Sequence, residues 1–209
     1  MANSTEIYSG LNVQESLFLV DMARPREFDR QGALEAAIQV FREHGYVGAS
    51  AELLSNGMKI GRQSLYDCFG NKWQLYLAAV EQYSATEREA HLVALESGER
   101  AFDGVIRMID RVVEEASTAC LGVASINEFG CINEELNAVR RQSGMCISEA
   151  LSDRLQDAKV EGDLSHEFDI RTTANFIMTS IAGIRLAARG GAGPAQIRIL
   201  ADGVIAAIS

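Results

Sequence analysis

A chain of 209 residues with 47% apolar content and only two prolines is long enough for one substantial core and has little of the punctuation a many-stranded fold needs, so long helices are expected. No apolar run reaches the ~20 residues that span a bilayer, and no basic-then-apolar leader opens the chain, which predicts a cytoplasmic protein. The net charge of −10 speaks against a nucleic-acid partner until it is divided: −3 over residues 1–21, zero over 22–83 and −7 over 84–209, which leaves the middle segment neutral.

Residues 1–21 show no clear period and precede Met22 and the basic stretch Ala23-Arg24-Pro25-Arg26; they read as an extension without a function of its own, disordered or not native. From Asp29, a candidate N-cap, Leu34, Ala37, Ile38 and Phe41 recur at three- and four-residue steps and mark a first helix that Gly45 should stop. A short second helix follows, capped by Ser50, with Leu53 and Leu54 expected to face inward and Asn56-Gly57 marking its end. A third runs from about Gly61 to Asp67, Gly70-Asn71 ends it, and a long fourth helix opens at Lys72 with Asn71 as cap. Its inward positions are Leu75, Tyr76, Ala79, Val80 and Tyr83. Further amphipathic helices are expected at about 100–118, 119–130, 132–161, 167–189 and 195–208, with short breaks suited to helices packed side by side. The fold class is all-α with about nine helices: a three-helix helix-turn-helix module over 22–71, then a helical bundle over 72–209.

Two short helices held against a longer one place the second in the major groove of DNA. At the start of that helix Arg62 has the fork that bonds guanine O6 and N7, and Gln63 the amide that pairs with adenine. Ser50, Ser64, Tyr66 and Lys72 are candidates for phosphate contacts, and Arg24 and Arg26 for a flexible arm reaching backbone or minor groove, or else a solvated terminus.

The stretch Gly45-Tyr46-Val47-Gly48-Ala49-Ser50, followed by Ile60-Gly61-Arg62-Gln63-Ser64-Leu65-Tyr66-Asp67-Cys68-Phe69-Gly70-Asn71-Lys72, resembles the signature of the TetR/AcrR transcriptional regulators, with the aromatic pair Tyr66 and Phe69 closing the recognition helix and Lys72 opening the next. Three positions depart from that pattern. Lys59 stands where the family usually has glycine, so it either avoids positive φ or accepts a cost of ~1 kcal/mol, and Ala49 and Cys68 stand where threonine is common.

The resemblance implies a ligand-responsive repressor released from operator DNA by a small molecule, acting as a homodimer. For the interface, the mix of small and branched residues points to Phe168, Thr172, Ile177, Ile181 and Ile184 in segment 167–189 and to Ile197, Leu200 and Val204 in the last helix, with burial inside one subunit as the alternative. For a ligand pocket, Phe102, Met108, Asn127, Phe129, Phe176 and Arg185 are candidates, each with plain core as the alternative, and Arg185 with an acidic partner as another. Cys120 begins a helix where a thiol pKa can fall, and resembles the position at which some family members sense electrophiles; an inert buried thiol is the alternative.

Catalysis is not expected. The chain has none of the phosphate-cradling glycine motifs, no H-E-x-x-H and no G-x-S-x-G, and its three histidines, His44, His91 and His166, are scattered. Neither a cofactor nor a metal is implied, and four cysteines without C-x-x-C spacing read as free thiols. The rival to operator binding is a helical regulator acting through protein contacts alone.

Overall fold

The start of the first helix sets the frame for the N-terminal module. In the computed structural model, which describes residues 29–209, α1 (Arg30–Gly48) buries Ala33, Leu34, Ala37, Ile38 and Phe41 on one face. Its helical backbone breaks at Gly45, φ 68° and ψ −178°, a conformation that glycine adopts without the strain of a Cβ. Segment 1–21, Arg24 and Arg26 lie outside the described residues. Gln31–Ser209 forms one unit by itself.

α2 (Ala51–Met58) begins at Ser50, whose hydroxyl oxygen accepts from the Leu53 N–H at 3.1 Å. Leu54 is buried, but Leu53 is 38% exposed. Successive helical residues lie ~100° apart, so two adjacent leucines cannot both face the same core. The helix also runs past Asn56-Gly57: a Cβ on Gly57 would meet Val40 at 2.7 Å, so this glycine lets α2 lie close against α1 instead of ending the helix. The stop comes at Lys59, in the left-handed region at φ 56° and ψ 37°. Lysine therefore accepts the strain. Lys59→Gly should raise stability by roughly 0.5–1 kcal/mol, the left-handed penalty less the extra freedom glycine gives the unfolded chain; thermal melting should show a midpoint higher by about 2 °C, and a lowered midpoint would contradict it.

α3 (Arg62–Phe69) and α4 (Lys72–Glu96) follow, with the Asn71 side chain accepting from the Gln74 N–H at 3.0 Å to start the second. Beyond them come α5 (Ala101–Glu114), α6 (Leu121–Phe129), α7 (Glu134–Glu161), α8 (Ile170–Arg189) and α9 (Pro194–Ile208). Asn133 and Asp169 cap α7 and α8, and Pro194 occupies the first turn of α9, where its missing N–H has no partner to lose. The described residues thus form nine helices and no strands. No helix among them is long and apolar enough to cross a membrane.

α4, α5, α7, α8 and α9 enclose a core that includes Leu95, Val105, Met108, Leu151, Ile177 and Ile197. This placement corrects the expected interface. Ile177, Ile184, Ile197 and Val204 belong to the subunit's own core, because α8 and α9 turn these positions toward α5. Phe168 and Ile181 are half-buried, and only Thr172 and Leu200 of the expected set are exposed. The outward stripe of α8 is instead Thr172, Phe176, Thr179, Gly183 and Leu186, at steps of four and three, with Phe176 43% and Leu186 51% exposed. α9 adds Ile199, Leu200 and Gly203 to the exposed residues.

A part-buried ionic network ties α4, α5 and α8 together. Arg111 meets Glu87 at 3.0 Å and Glu115 at 3.1 Å, while Arg185 meets Glu115 at 2.9 Å and Glu87 at 3.7 Å. His91 lies beside Arg111 at 3.3 Å. Burial, then the two guanidiniums of Arg111 and Arg185, push its pKa down to about 4.

Candidate nucleic-acid interface

α3 is a short helix with two anchors and an open face. Leu65 and Phe69 are buried, whereas Arg62, Gln63, Ser64 and Asp67 point to solvent and Tyr66 is half-buried. The anchors fix the rotation of the helix, so the residues able to read base edges are those left outside. Gly61 supplies no side-chain cap, which leaves the first-turn N–H groups open to an anion.

The open face is partly organised before any ligand arrives. The Arg62 guanidinium lies 5.9 Å from the Tyr66 ring centroid, and Gln63 donates to Asp67 at 2.9 Å. Asp67 is a member of this face that the sequence analysis did not select, although its spacing of four from Gln63 is the signal that places the two side by side. Ser50 uses one lone pair as the α2 cap and keeps its O–H to donate. Lys72 already has neighbours: its Nζ sits 4.6 Å from the Tyr46 ring centroid and 3.5 Å from the Val47 carbonyl. Burial lowers its pKa, and Glu128 acts in the opposite direction.

Behind this face a ring cluster joins three helices. Tyr46 from the end of α1, Trp73 and Tyr76 from the start of α4, and Phe129 from α6 all meet with centroids 5.1–5.9 Å apart. The Glu128 carboxylate adds a second join, accepting from the backbone N–H of Tyr46 at 2.8 Å and of Val47 at 3.1 Å. Both N–H groups are freed by the break at Gly45. A Cβ on Gly45 would lie 2.9 Å from that same carboxylate. No sequence signal marks Glu128, because its partners are 82 and 81 residues away.

Only three of the residues proposed for a ligand are brought together. Cys120, Asn127 and Arg185 line a cleft between α1, α6 and α8. Met108 is core, Phe129 belongs to the ring cluster, Phe102 packs at the core's margin, and Phe176 lies on the outward stripe of α8. Arg185 does pair with acids, and its guanidinium is held above the ordinary arginine value: burial opposes the charge, but the bond to Glu115 and the neighbouring Cys120, Tyr83 and Glu87 outweigh it.

The family model for bacterial regulatory proteins of the tetR family matches residues 33–79, the span from α1 into α4. The HTH-type transcriptional regulator YezE of Bacillus subtilis (strain 168) is 32% identical over 165 residues, 76% of this chain and 85% of that protein. This chain belongs to the TetR family. Another relative, the HTH-type transcriptional repressor ComR of Escherichia coli (strain K12), is 28% identical over 177 residues, covering 81% of this chain and 83% of ComR. Among solved structures, a cysteine mutant of the TetR family regulator CifR, complexed with 26-bp double-strand operator DNA, aligns at a TM-score of 0.74 and 27% identity over 90% of this chain and all of that one. The chain is thus a TetR-type DNA-binding transcriptional regulator.

Proposed function

We propose that this regulator is a homodimeric repressor that holds operator DNA through α3 and leaves it when a small-molecule effector binds. The observation that carries the reading is the division of α3, with Leu65 and Phe69 locked inside and Arg62, Gln63 and Ser64 outside. Arg62 and Gln63 read bases; Ser50, Ser64, Tyr66 and the α3 N-terminus hold phosphates, with Lys72 adding charge behind them. Residues 22–71 do the binding and 72–209 the sensing and pairing. Arg24 and Arg26 would extend the contact to the backbone or minor groove.

Paired half-sites need paired recognition helices. The exposed stripe of α8, together with Ile199, Leu200 and Gly203 of α9, supplies a self-complementary apolar face with small residues that permit close approach. The ring cluster and Glu128 give α4 and α6 a grip on α1, so an effector that favours a tilted α4 changes the spacing of the two α3 helices. A ~100-fold preference for that state, near 2.7 kcal/mol, suffices to shift occupancy.

A labelled duplex from the gene's own upstream region, titrated by fluorescence anisotropy, should bind in the nanomolar range and weaken steeply with salt. Arg62→Ala should cost roughly 1–3 kcal/mol and relax sequence preference at one position of each half-site. Failure of the wild-type chain to bind that duplex at low salt, or a monomer by sedimentation, would remove the repressor reading in favour of regulation through protein contacts.

A further inference from the structure

The cleft between α1, α6 and α8 has a volume of about 240 Å³, what roughly eight water molecules occupy in the liquid. Its charges do not balance. Arg185 is neutralised by Glu115 and Glu87, but Arg42 and Arg189 form no ion pair with any described carboxylate. Arg42 donates to the Ala119 carbonyl at 2.7 Å and weakly to Gln39, and Arg189 reaches only the Glu43 carbonyl at 3.5 Å. His44 also lines the cleft, with its Nε2 3.7 Å from the Glu43 carboxylate. The single carboxylate lining the cleft among the described residues, Glu128, already accepts from two backbone N–H groups. The same cleft is lined by the apolar or weakly polar side chains of Ala119, Cys120, Val123 and Ala124 and by the amide of Asn127.

We propose that this cleft binds a small monocarboxylate carrying one compact apolar body, its carboxylate held by Arg42 and Arg189 and its body laid on Val123 and Ala124. A guanidinium presents two parallel N–H donors that match a carboxylate. The apolar wall rejects a fully hydrated inorganic anion, and Glu128 disfavours a dianion. The volume admits a single six-membered ring with one carboxyl group. Binding would draw Arg42 off the Ala119 carbonyl and Arg189 off the Glu43 carbonyl, two ties that link α1 to the α5–α6 connection and to α8. That consequence for operator release rests on the effector reading above; occupancy of the cleft does not.

The test is calorimetric titration of the purified full chain with benzoate, with benzyl alcohol as the uncharged control and inorganic phosphate as the anion without an apolar body. Benzoate should bind saturably with a Kd in the millimolar range or tighter, and benzyl alcohol and phosphate each at least tenfold more weakly. Arg189→Gln, at an exposed position that leaves the core untouched, should weaken benzoate at least tenfold, and Arg42→Gln likewise. The proposal is overturned by no saturable benzoate binding, by benzyl alcohol binding as well as benzoate, or by Arg189→Gln binding unchanged. Operator anisotropy on the same samples separates the two readings. Benzoate that binds in the predicted pattern without releasing DNA supports the site and removes its effector role, whereas release by a different ligand, with benzoate not binding, overturns the site and leaves the effector reading intact.

Discussion

Replacing Gly104 with alanine should destabilise the protein by roughly 3–5 kcal/mol. Gly104 lies in α5 where that helix crosses the end of α4, and a Cβ there would run into the Leu95 carbonyl oxygen, with the Leu95 carbonyl carbon at 2.8 Å and the Ser97 oxygen at 3.2 Å. All three obstacles are main chain, so no side-chain rotation relieves them. The helices must separate, and the buried contacts of Leu95, Val105 and Met108 loosen with them. Thermal and urea unfolding followed by circular dichroism should show the midpoint falling by about 10 °C or more. Gly144→Ala in α7 is the matched control: nothing lies within 4 Å of its added Cβ, so gaining helix propensity should leave stability unchanged or raise it by up to about 1 kcal/mol. A Gly104→Ala protein that melts like the wild type would show that α4 and α5 do not cross this closely.

Arg185→Leu should cost about 2–3 kcal/mol, because it removes one of the two guanidiniums that neutralise Glu115 and Glu87 in a part-buried site and leaves Arg111 as their remaining cation. The variant also changes the pH profile, through His91. In the wild type the folded His91 stays neutral down to about pH 4, whereas the unfolded residue takes up a proton near 6.5. Between those values the unfolded chain binds the extra proton, so stability is full above pH 6.5 and falls as the solution is acidified toward pH 4, by up to about 3 kcal/mol from this one group. Without Arg185 one of the cations that hold His91 down is gone, its folded pKa rises toward the ordinary value, and that part of the acid loss shrinks. Urea unfolding at pH 7.5 and pH 5 measures both effects. An Arg185→Leu protein within 1 kcal/mol of wild type at pH 7.5 would mean the network adds no net stability.

Much of the fold was legible because it is carried by local signals. Asn71 and Ser50 announce helix starts through chemistry confined to one turn, and the α1 residues Leu34, Ala37, Ile38 and Phe41 lie inside as their spacing requires. The reading of α3 relied on the same kind of signal. It failed where two helix faces are both apolar: α8 carries isoleucines toward its own core and Phe176 and Leu186 outward, and composition alone does not tell which stripe meets which neighbour. Gly57 misled for a related reason, since a glycine that ends a helix and one that permits close packing look alike in sequence. The long-range partners, Glu128 with Tyr46 and Val47 or Arg42 with Ala119, depend on tertiary placement and leave no trace in spacing.

Glu128 grips main chain and not side chains. Point substitutions at positions 46 and 47, proline apart, leave both donors in place. The Glu128 tie between α6 and α1 is therefore indifferent to side-chain drift at those two positions, whereas Gly45, where an added Cβ would meet the same carboxylate, is held fixed.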